Sequence, residues 1–172
     1  MAARTIVLVV APKNFRDEEY FEPKKIFLAA GHKVVTASSG LSPAQGKLGG
    51  TADIDLLFTE IDATKFDIVV FVGGPGVVVY WDDWRAQALA KLFIENGKPV
   101  AAICSAPVIL AKAGVLNGRR ATCFPGDADK LKAAGAIVSE KSVEVDGSII
   151  TGNGPEASKE FGKAIVDYLA SH

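Results

Sequence analysis

Cys104 is the residue of this sequence best placed to act as a nucleophile. It follows an apolar stretch typical of a buried strand, precedes a stretch with helical character, and is flanked by the small residues Ala102, Ser105 and Ala106. This pattern is typical of a nucleophile elbow, in which a sharp strand-to-helix turn holds the side chain clear of the sheet in a strained backbone conformation. Because a helix start beside the sulfur favours the thiolate, we expect the pKa of Cys104 to lie below the usual thiol value of roughly 8.5.

Two further loops carry groups that can assist such a thiol. The loop after the first apolar run contains Asp17, Glu18 and Glu19, and another apolar run ends at Gly73 and Gly74. A carboxyl group can exchange a proton with a thiol, and N–H groups of a Gly-Gly turn and of the residue after the nucleophile can bind an oxyanion. The residues alone leave two other interpretations open, namely acids that begin a solvated helix and glycines that form a simple turn.

The histidines and the second cysteine do not extend this set. His32 lies at a helix-to-strand corner, where we expect it on the surface, and His172 is at the C-terminus. Neither falls in the candidate loops, so no Cys-His pair within one chain is predicted. Cys123 lies in a strand-like stretch and Trp81 near a helix start. Both can line a pocket, although residues of these types in such places more often pack in the core.

The order of strand-like and helical segments predicts an α/β fold, a three-layer sandwich around a mostly parallel, flavodoxin-like sheet. Continuous apolar runs indicate strands buried on both faces, and the candidate loops are expected to meet at the carboxyl edge of the sheet. Residues 41–56 predict a loop with short antiparallel pieces, and Pro23 is expected in the first turn of its helix. The predicted strands are 5–10, 33–37, 67–72, 99–103, 120–124, 137–138, 143–145 and 149–150, and the predicted helices are 18–30, 82–96, 105–113, 127–134 and 155–169.

Composition narrows the class of protein. The 172 residues are expected to form one domain, 1–172, and the net charge of -1 favours neither a nucleic-acid partner nor a membrane partner. The longest apolar runs are too short to cross a bilayer, and the N-terminus lacks the order of a signal peptide, so we expect a cytoplasmic protein. With two cysteines, neither a disulfide framework nor a zinc site is predicted.

Together these motifs resemble the ThiJ/PfpI superfamily, which has a class I glutamine-amidotransferase-like fold and includes the parkinsonism-associated protein deglycase and intracellular cysteine peptidases. The resemblance covers almost the whole chain. It rests on the strand 5–10, the acidic loop 15–19 ahead of Pro23, the segment 29–35, Gly-Gly-Pro-Gly at 73–76, Ala-Ile-Cys-Ser-Ala-Pro at 102–107, the segment 110–116, and Gly-Asn-Gly-Pro at 152–155 with Ser158.

The resemblance implies roles for individual residues. Cys104 is the reactive cysteine, Glu19 rather than Glu18 is the acid, and the backbones of Gly74 and Ser105 are the oxyanion donors. Phe124 occupies a position where the deglycase branch often has histidine. The candidate pocket residues are Gly73, Phe124, Cys123 and Trp81. The resemblance also implies a homodimer, a small aldehyde as substrate, and no metal or organic cofactor.

The function expected from this resemblance is a stress-response enzyme of the glyoxalase III or deglycase type that uses Cys104 and Glu19. A redox sensor or chaperone-like protein with an oxidisable Cys104 is the alternative, and a small-molecule hydratase or amidohydrolase is a third. Peptidase-type members carry histidine directly after the cysteine, so Ser105 argues against peptidase activity. Without a histidine near the thiol we expect slow turnover.

Overall fold

Twelve strands and six α-helices make up the computed structural model, which describes residues 2–172. None of the helices within that range is long and apolar enough to cross a membrane. The strands are β1 (Thr5–Val9), β2 (Lys13–Phe15), β3 (Lys33–Ser38), β4 (Ala44–Gly46), β5 (Thr51–Ala52), β6 (Leu56–Leu57), β7 (Ile68–Phe71), β8 (Val100–Ile103), β9 (Arg120–Ala121), β10 (Ile137–Val138), β11 (Val143–Asp146) and β12 (Ile149–Gly152). The helices are α1 (Asp17–Ala29), α2 (Val78–Trp81), α3 (Trp84–Glu95), α4 (Pro107–Lys112), α5 (Ala128–Ala133) and α6 (Ser158–Ser171).

A seven-stranded sheet with the order β11-β12-β8-β7-β1-β3-β6 forms the middle layer. All neighbours in it are parallel except β11, which pairs antiparallel with β12. The prediction of a mostly parallel sheet is therefore confirmed. Because β8, β7 and β1 are adjacent and parallel, the loops that follow them open at one edge of the sheet.

The two faces of this sheet support separate apolar cores. Along β1, Val7 and Val9 face the core that contains residues of α3, α4 and α5, whereas Ile6 and Leu8 face the core that contains residues of α1 and α6. All four side chains are buried, and each contributes roughly 1.5–3 kcal/mol to folding through removal of apolar surface from water. Helices on both faces confirm the three-layer sandwich.

Several predicted elements differ in extent. Strand 120–124 shortens to β9, which pairs with β10 outside the main sheet. The strand ends there because the N–H of Thr122 donates to the side-chain Oγ1 of Thr151, 3.0 Å away, instead of to a backbone carbonyl of a neighbouring strand. The helix predicted from residue 105 begins at Pro107. Pro23 lies well inside α1 and not in its first turn, since the helix already begins at Asp17.

His32 is not on the surface as predicted. It is 3% exposed, and its Nδ1 accepts the backbone N–H of Arg4 at 3.1 Å. Burial, followed by the charge of Arg4, lowers the pKa of its imidazole. His32 therefore ties the start of β3 to the segment before β1, and it lies at the opposite end of these strands from the candidate loops.

Candidate active site

Cys104 stands at a true elbow between β8 and α4. Its φ is 64°, a left-handed value that only Asn14 shares among the non-glycine residues of the range 2–172. Such a conformation costs on the order of 1–2 kcal/mol and persists only where the surroundings hold it. Here the N–H of Cys104 donates to the carbonyl of Gly152 at 2.9 Å, and its carbonyl accepts the N–H of Phe124 at 2.7 Å. The predicted elbow is thus present and is fixed on both sides.

Gly73, two residues after the end of β7, lies between Cys104 and Glu19. A β-carbon on Gly73 would lie 2.6 Å from Oε1 of Glu19 and 2.7 Å from Cβ of Cys104, and it would also meet the carbonyl oxygen of Ile103. Only a glycine therefore fits at this position. The absence of a side chain lets the carboxyl group and the thiol-bearing residue approach the same α-carbon.

The turn at Gly73 and Gly74 also positions the start of α1. Gly74 has a φ of 105°, and a β-carbon there would collide with the backbone nitrogen of Arg16. The N–H of Arg16 donates to the carbonyl of Gly73 at 2.9 Å. Because Arg16 is the residue immediately before α1, this bond sets the helix start and, through it, the direction of Glu19.

The structure separates the three acids of this loop. Asp17 accepts the N–H groups of Leu48 and Gly50, each at 2.8 Å, and so holds the turn between β4 and β5. Glu18 pairs with Arg16, with 2.9 Å between its Oε2 and Nη2 of the guanidinium. Glu19 alone lies against Gly73. The start of α1 therefore directs the three carboxyl groups to different places, a difference that the sequence alone did not indicate.

The carboxyl group of Glu19 is completely buried. Neither oxygen has a partner with hydrogen-bond geometry among residues 2–172, and the side chain is 0% exposed. Burial raises the pKa of Glu19 to about 8, even though the neighbouring thiol of Cys104 and the charge of Arg16 lower it. Glu19 is therefore protonated at neutral pH and can take up a proton only after it has lost its own.

The expectation of a lowered pKa at Cys104 is wrong. Burial, reinforced by the negative charge of Glu19 and by the closeness of its carboxyl group to the thiol, raises the pKa of Cys104 to about 12. The backbone N–H of Gly74 and the side chain of Ser105 act in the opposite direction but do not outweigh burial. The helix contributes little because α4 has six residues and begins at Pro107.

The two groups consequently act as a coupled acid–base pair. Glu19 loses its proton before Cys104 does, so a Glu19 carboxylate faces a protonated thiol once the first proton has left. A carboxylate in that position can accept the thiol proton as the sulfur attacks, and can then return it to an oxygen of the adduct. This arrangement fits attack on a polar double bond, with the N–H of Gly74 beside the sulfur.

The candidate pocket residues divide into two groups. Nε1 of Trp81 donates to the carbonyl of Ser105 at 2.9 Å, and Phe124, which is 46% exposed, bonds the carbonyl of Cys104 through its N–H. Cys123 instead belongs to the core on the α3–α4–α5 face and not to the core that contains Cys104. It lines a separate cavity of about 340 Å³, and burial raises its pKa to about 12.

Arg16 is a component of the site that the sequence did not indicate. Its guanidinium forks onto Glu18, and its charge acts on both Glu19 and Cys104. A basic residue two positions ahead of an acid is common on protein surfaces, so this pair gives no signal in the sequence. Within residues 2–172, no group of three His, Cys, Asp or Glu side chains converges in a way that could hold a metal ion.

Comparison with known proteins gives consistent matches. The sequence model of the DJ-1/PfpI family matches residues 4–168. A protein named deglycase from Thermococcus kodakarensis is 38% identical over 149 residues, which cover 87% of this chain and 90% of that protein.

Solved structures match over the same length. The ThiJ/PfpI domain protein from Brachyspira murdochii is 48% identical with a TM-score of 0.97, over 100% of this chain and 99% of that one. Oxidized DJ-1 from Toxoplasma gondii is 28% identical with a TM-score of 0.87, over 97% and 91% of the two chains.

Replacement of the buried acid by its neutral isostere, Glu19→Gln, is expected to change how stability depends on pH. Because the pKa of Glu19 in the folded protein, about 8, lies above its ordinary value of 4.5, the wild type loses stability as pH rises between these values. The variant lacks this loss. Its free energy of unfolding, relative to that of the wild type, should therefore rise by roughly 3–5 kcal/mol between pH 4.5 and pH 8. Urea unfolding at several pH values measures the difference.

Glu18→Gln is the matched control for this experiment. Its carboxyl group is one residue away on α1, but the hydrogen bond from Arg16 lowers its pKa. The ionised Glu18 therefore stabilises the folded protein at pH values above 4.5. Glu18→Gln should lower the free energy of unfolding in that pH range, where Glu19→Gln should raise it. A parallel pH profile for Glu19→Gln and the wild type would contradict the burial argument.

Proposed function

We propose, since this chain belongs to the DJ-1/PfpI family, that it is a cysteine-dependent enzyme of the glyoxalase III or deglycase type that acts on small reactive aldehydes. The observation that carries the proposal is the fully buried carboxyl group of Glu19 at Gly73, directly beside Cys104. A relative named deglycase that matches over 87% of the chain supports the same reaction class.

The first step is addition of the thiol to the aldehyde. The step begins from the form of the site in which Glu19 has lost its proton. The sulfur of Cys104 bonds to the carbonyl carbon as the thiol proton passes to the Glu19 carboxylate, and the carbonyl π electrons move to the oxygen. Glu19 then donates the proton to that oxygen, which gives a hemithioacetal with no group lost. The N–H of Gly74 and the groups of Ser105 are the donors available to stabilise the developing negative charge.

The second step moves a proton between adjacent carbons when the substrate is a 2-oxoaldehyde. Glu19 removes the proton from the hemithioacetal carbon and returns it to the neighbouring carbon, and the hydroxyl proton of the first carbon passes to the oxygen of the second through the same carboxyl group. The adduct thereby becomes a 2-hydroxy thioester. Water then hydrolyses the thioester, releases the 2-hydroxy acid and restores the thiol. One carboxyl group performs every proton transfer, which supports the expectation of slow turnover.

Replacement of the nucleophile, Cys104→Ser, is expected to lower methylglyoxal consumption by about 100-fold or more, because the hydroxyl cannot form the thiohemiacetal adduct at a comparable rate. Lactate formation measured by chromatography provides the readout. Cys123→Ser is the matched control and should keep the wild-type rate within about twofold. A wild-type rate in Cys104→Ser would overturn the proposal.

Alkylation by iodoacetamide, followed against pH in the Cys123→Ser background, tests the coupling of thiol and carboxyl group. The midpoint should lie near 8, where the pair loses its first proton. Glu19→Gln should move the midpoint above 9, since the sulfur remains buried without a base. Equal midpoints in the two proteins would show that the carboxyl group is not coupled to the thiol, and a midpoint of about 8.5 in both would identify Cys104 as a structural cysteine.

A redox sensor is the second candidate, favoured by the match to a DJ-1 solved in an oxidized form. The burial that raises the pKa of Glu19 to about 8 supplies a proton donor at neutral pH for an oxygen of a Cys104 sulfinate.

Graded peroxide followed by mass spectrometry tests this candidate. The sensor role predicts oxidation that stops at the sulfinate of Cys104 while Cys123 stays reduced. Equal oxidation of both cysteines would count against it.

A further inference from the structure

Trp81 is bonded to the turn that carries the nucleophile. Its Nε1–H donates to the carbonyl oxygen of Ser105, 2.9 Å away, and Ser105 directly follows Cys104. In the proposed mechanism the backbone N–H of Ser105 is one of the donors to the developing oxyanion. The bond therefore connects a side chain of α2 to the residue that supplies this donor.

The N–H of Ser105 is available to an oxyanion, and its direction is fixed. It donates no hydrogen bond within residues 2–172. It shares a peptide unit with the carbonyl of Cys104, which accepts the N–H of Phe124 at 2.7 Å. Because the N–H and C=O of a trans peptide point in opposite directions, this bond turns the N–H of Ser105 away from Phe124.

The peptide unit that follows Ser105 is fixed as well. Its N–H, on Ala106, donates to the carbonyl of Ile103 at 3.1 Å, and its carbonyl, on Ser105, accepts the indole N–H of Trp81. The backbone of Ser105 is thus held on both sides. Trp81 contributes the only side chain to these bonds, so it is the member that a substitution can remove.

The indole of Trp81 is itself held in place. Nζ of Lys130 lies 5.2 Å from the centre of its ring, an arrangement in which the cation attracts the indole face. Nε2 of Gln87 donates to the backbone carbonyl of Trp81 at 3.0 Å. Because Trp81 is held at both its ring and its backbone, its N–H can keep the carbonyl of Ser105 in one position.

We infer that Trp81 is a positioning residue, whose indole N–H holds Ser105 so that the backbone N–H of Ser105 points at the oxygen of the adduct. This inference rests on the proposed function. Trp81 forms no bond to the substrate in this role and acts through Ser105. The chemical step is unchanged: the sulfur–carbon bond forms, the carbonyl π bond breaks, and the thiol proton reaches the oxygen through Glu19.

Two reactions of the same thiol separate this role from a general structural one. Addition of Cys104 to the aldehyde of methylglyoxal, and later hydrolysis of the thioester, both place negative charge on an oxygen that the N–H of Ser105 can stabilise. Alkylation by iodoacetamide displaces iodide from carbon and places no charge on such an oxygen. Displacement of the donor should therefore slow the first reaction and not the second.

Trp81→Phe keeps an aromatic ring and removes the indole N–H. We expect kcat for methylglyoxal to fall about 10- to 100-fold and KM to stay within about threefold, because a displaced oxyanion donor affects the transition state more than substrate binding. Alkylation of Cys104, followed on its peptide by mass spectrometry, should stay within about twofold of the wild type.

Trp84→Phe is the matched control, since it makes the same change at the other tryptophan of the chain. Trp84 is 73% exposed, and its indole N–H donates no hydrogen bond in the part of the chain that the structure describes. Both kcat and the alkylation rate should therefore keep their wild-type values in this variant.

Lys130→Gln tests the same role with the indole left in place. Loss of the cation over the ring loosens Trp81, so kcat should fall about two- to fivefold, the range that an exposed cation–π contact supports. Alkylation of Cys104 should again be unchanged. If Trp81→Phe does not fold, this variant decides, and a wild-type kcat in it overturns the inference.

The outcomes distinguish the inference from the proposed function. A wild-type kcat in a folded Trp81→Phe, or an equal fall in kcat and in the alkylation rate, overturns the positioning role and leaves the proposed function intact. A wild-type protein that consumes no methylglyoxal overturns the proposed function, and the inference with it.

Discussion

The site depends on one constraint, a carboxyl group buried without a hydrogen-bond partner against a glycine that also touches the nucleophile. An isolated carboxylate in such a place is expensive, so Glu19 keeps its proton to about pH 8. The same burial holds the proton of Cys104 to a still higher pH. At neutral pH, Glu19 and Cys104 are thus both uncharged. Reactivity arises from proton transfer between the thiol and the carboxyl group. A preformed thiolate is not required.

The fold provides this constraint through three neighbouring parallel strands. β1, β7 and β8 deliver the helix with Glu19, the glycine turn and the elbow to one edge of the sheet. Each loop is fixed by backbone contacts to another: Arg16 bonds Gly73, and Cys104 bonds Gly152 and Phe124. The strain at Cys104 is therefore supported by the sheet itself. A change in any one of these loops is transmitted to the sulfur.

Much of this arrangement could be predicted from the sequence, because it depends on local patterns. Apolar runs identified the parallel strands, and small residues around Cys104 identified the elbow. The direction of its pKa shift could not be predicted, since the burying groups come from distant parts of the chain. The residues alone did not separate Glu19 from Asp17 and Glu18, because that depends on where α1 begins. Burial of His32 was missed for a similar reason: its partner, Arg4, lies on another segment.

The two cysteines extend their side chains into different cores, although the N–H of Phe124, next to Cys123, bonds the carbonyl of Cys104. The two thiols therefore lie in different apolar cores of the three-layer fold. An oxidant that converts Cys104 to a sulfenic acid leaves it without a resolving cysteine in its own chain, so recycling would depend on a thiol supplied from outside. Because the sheet separates the two cysteines, reduction of an oxidised Cys104 depends on the thiol reductants around the protein.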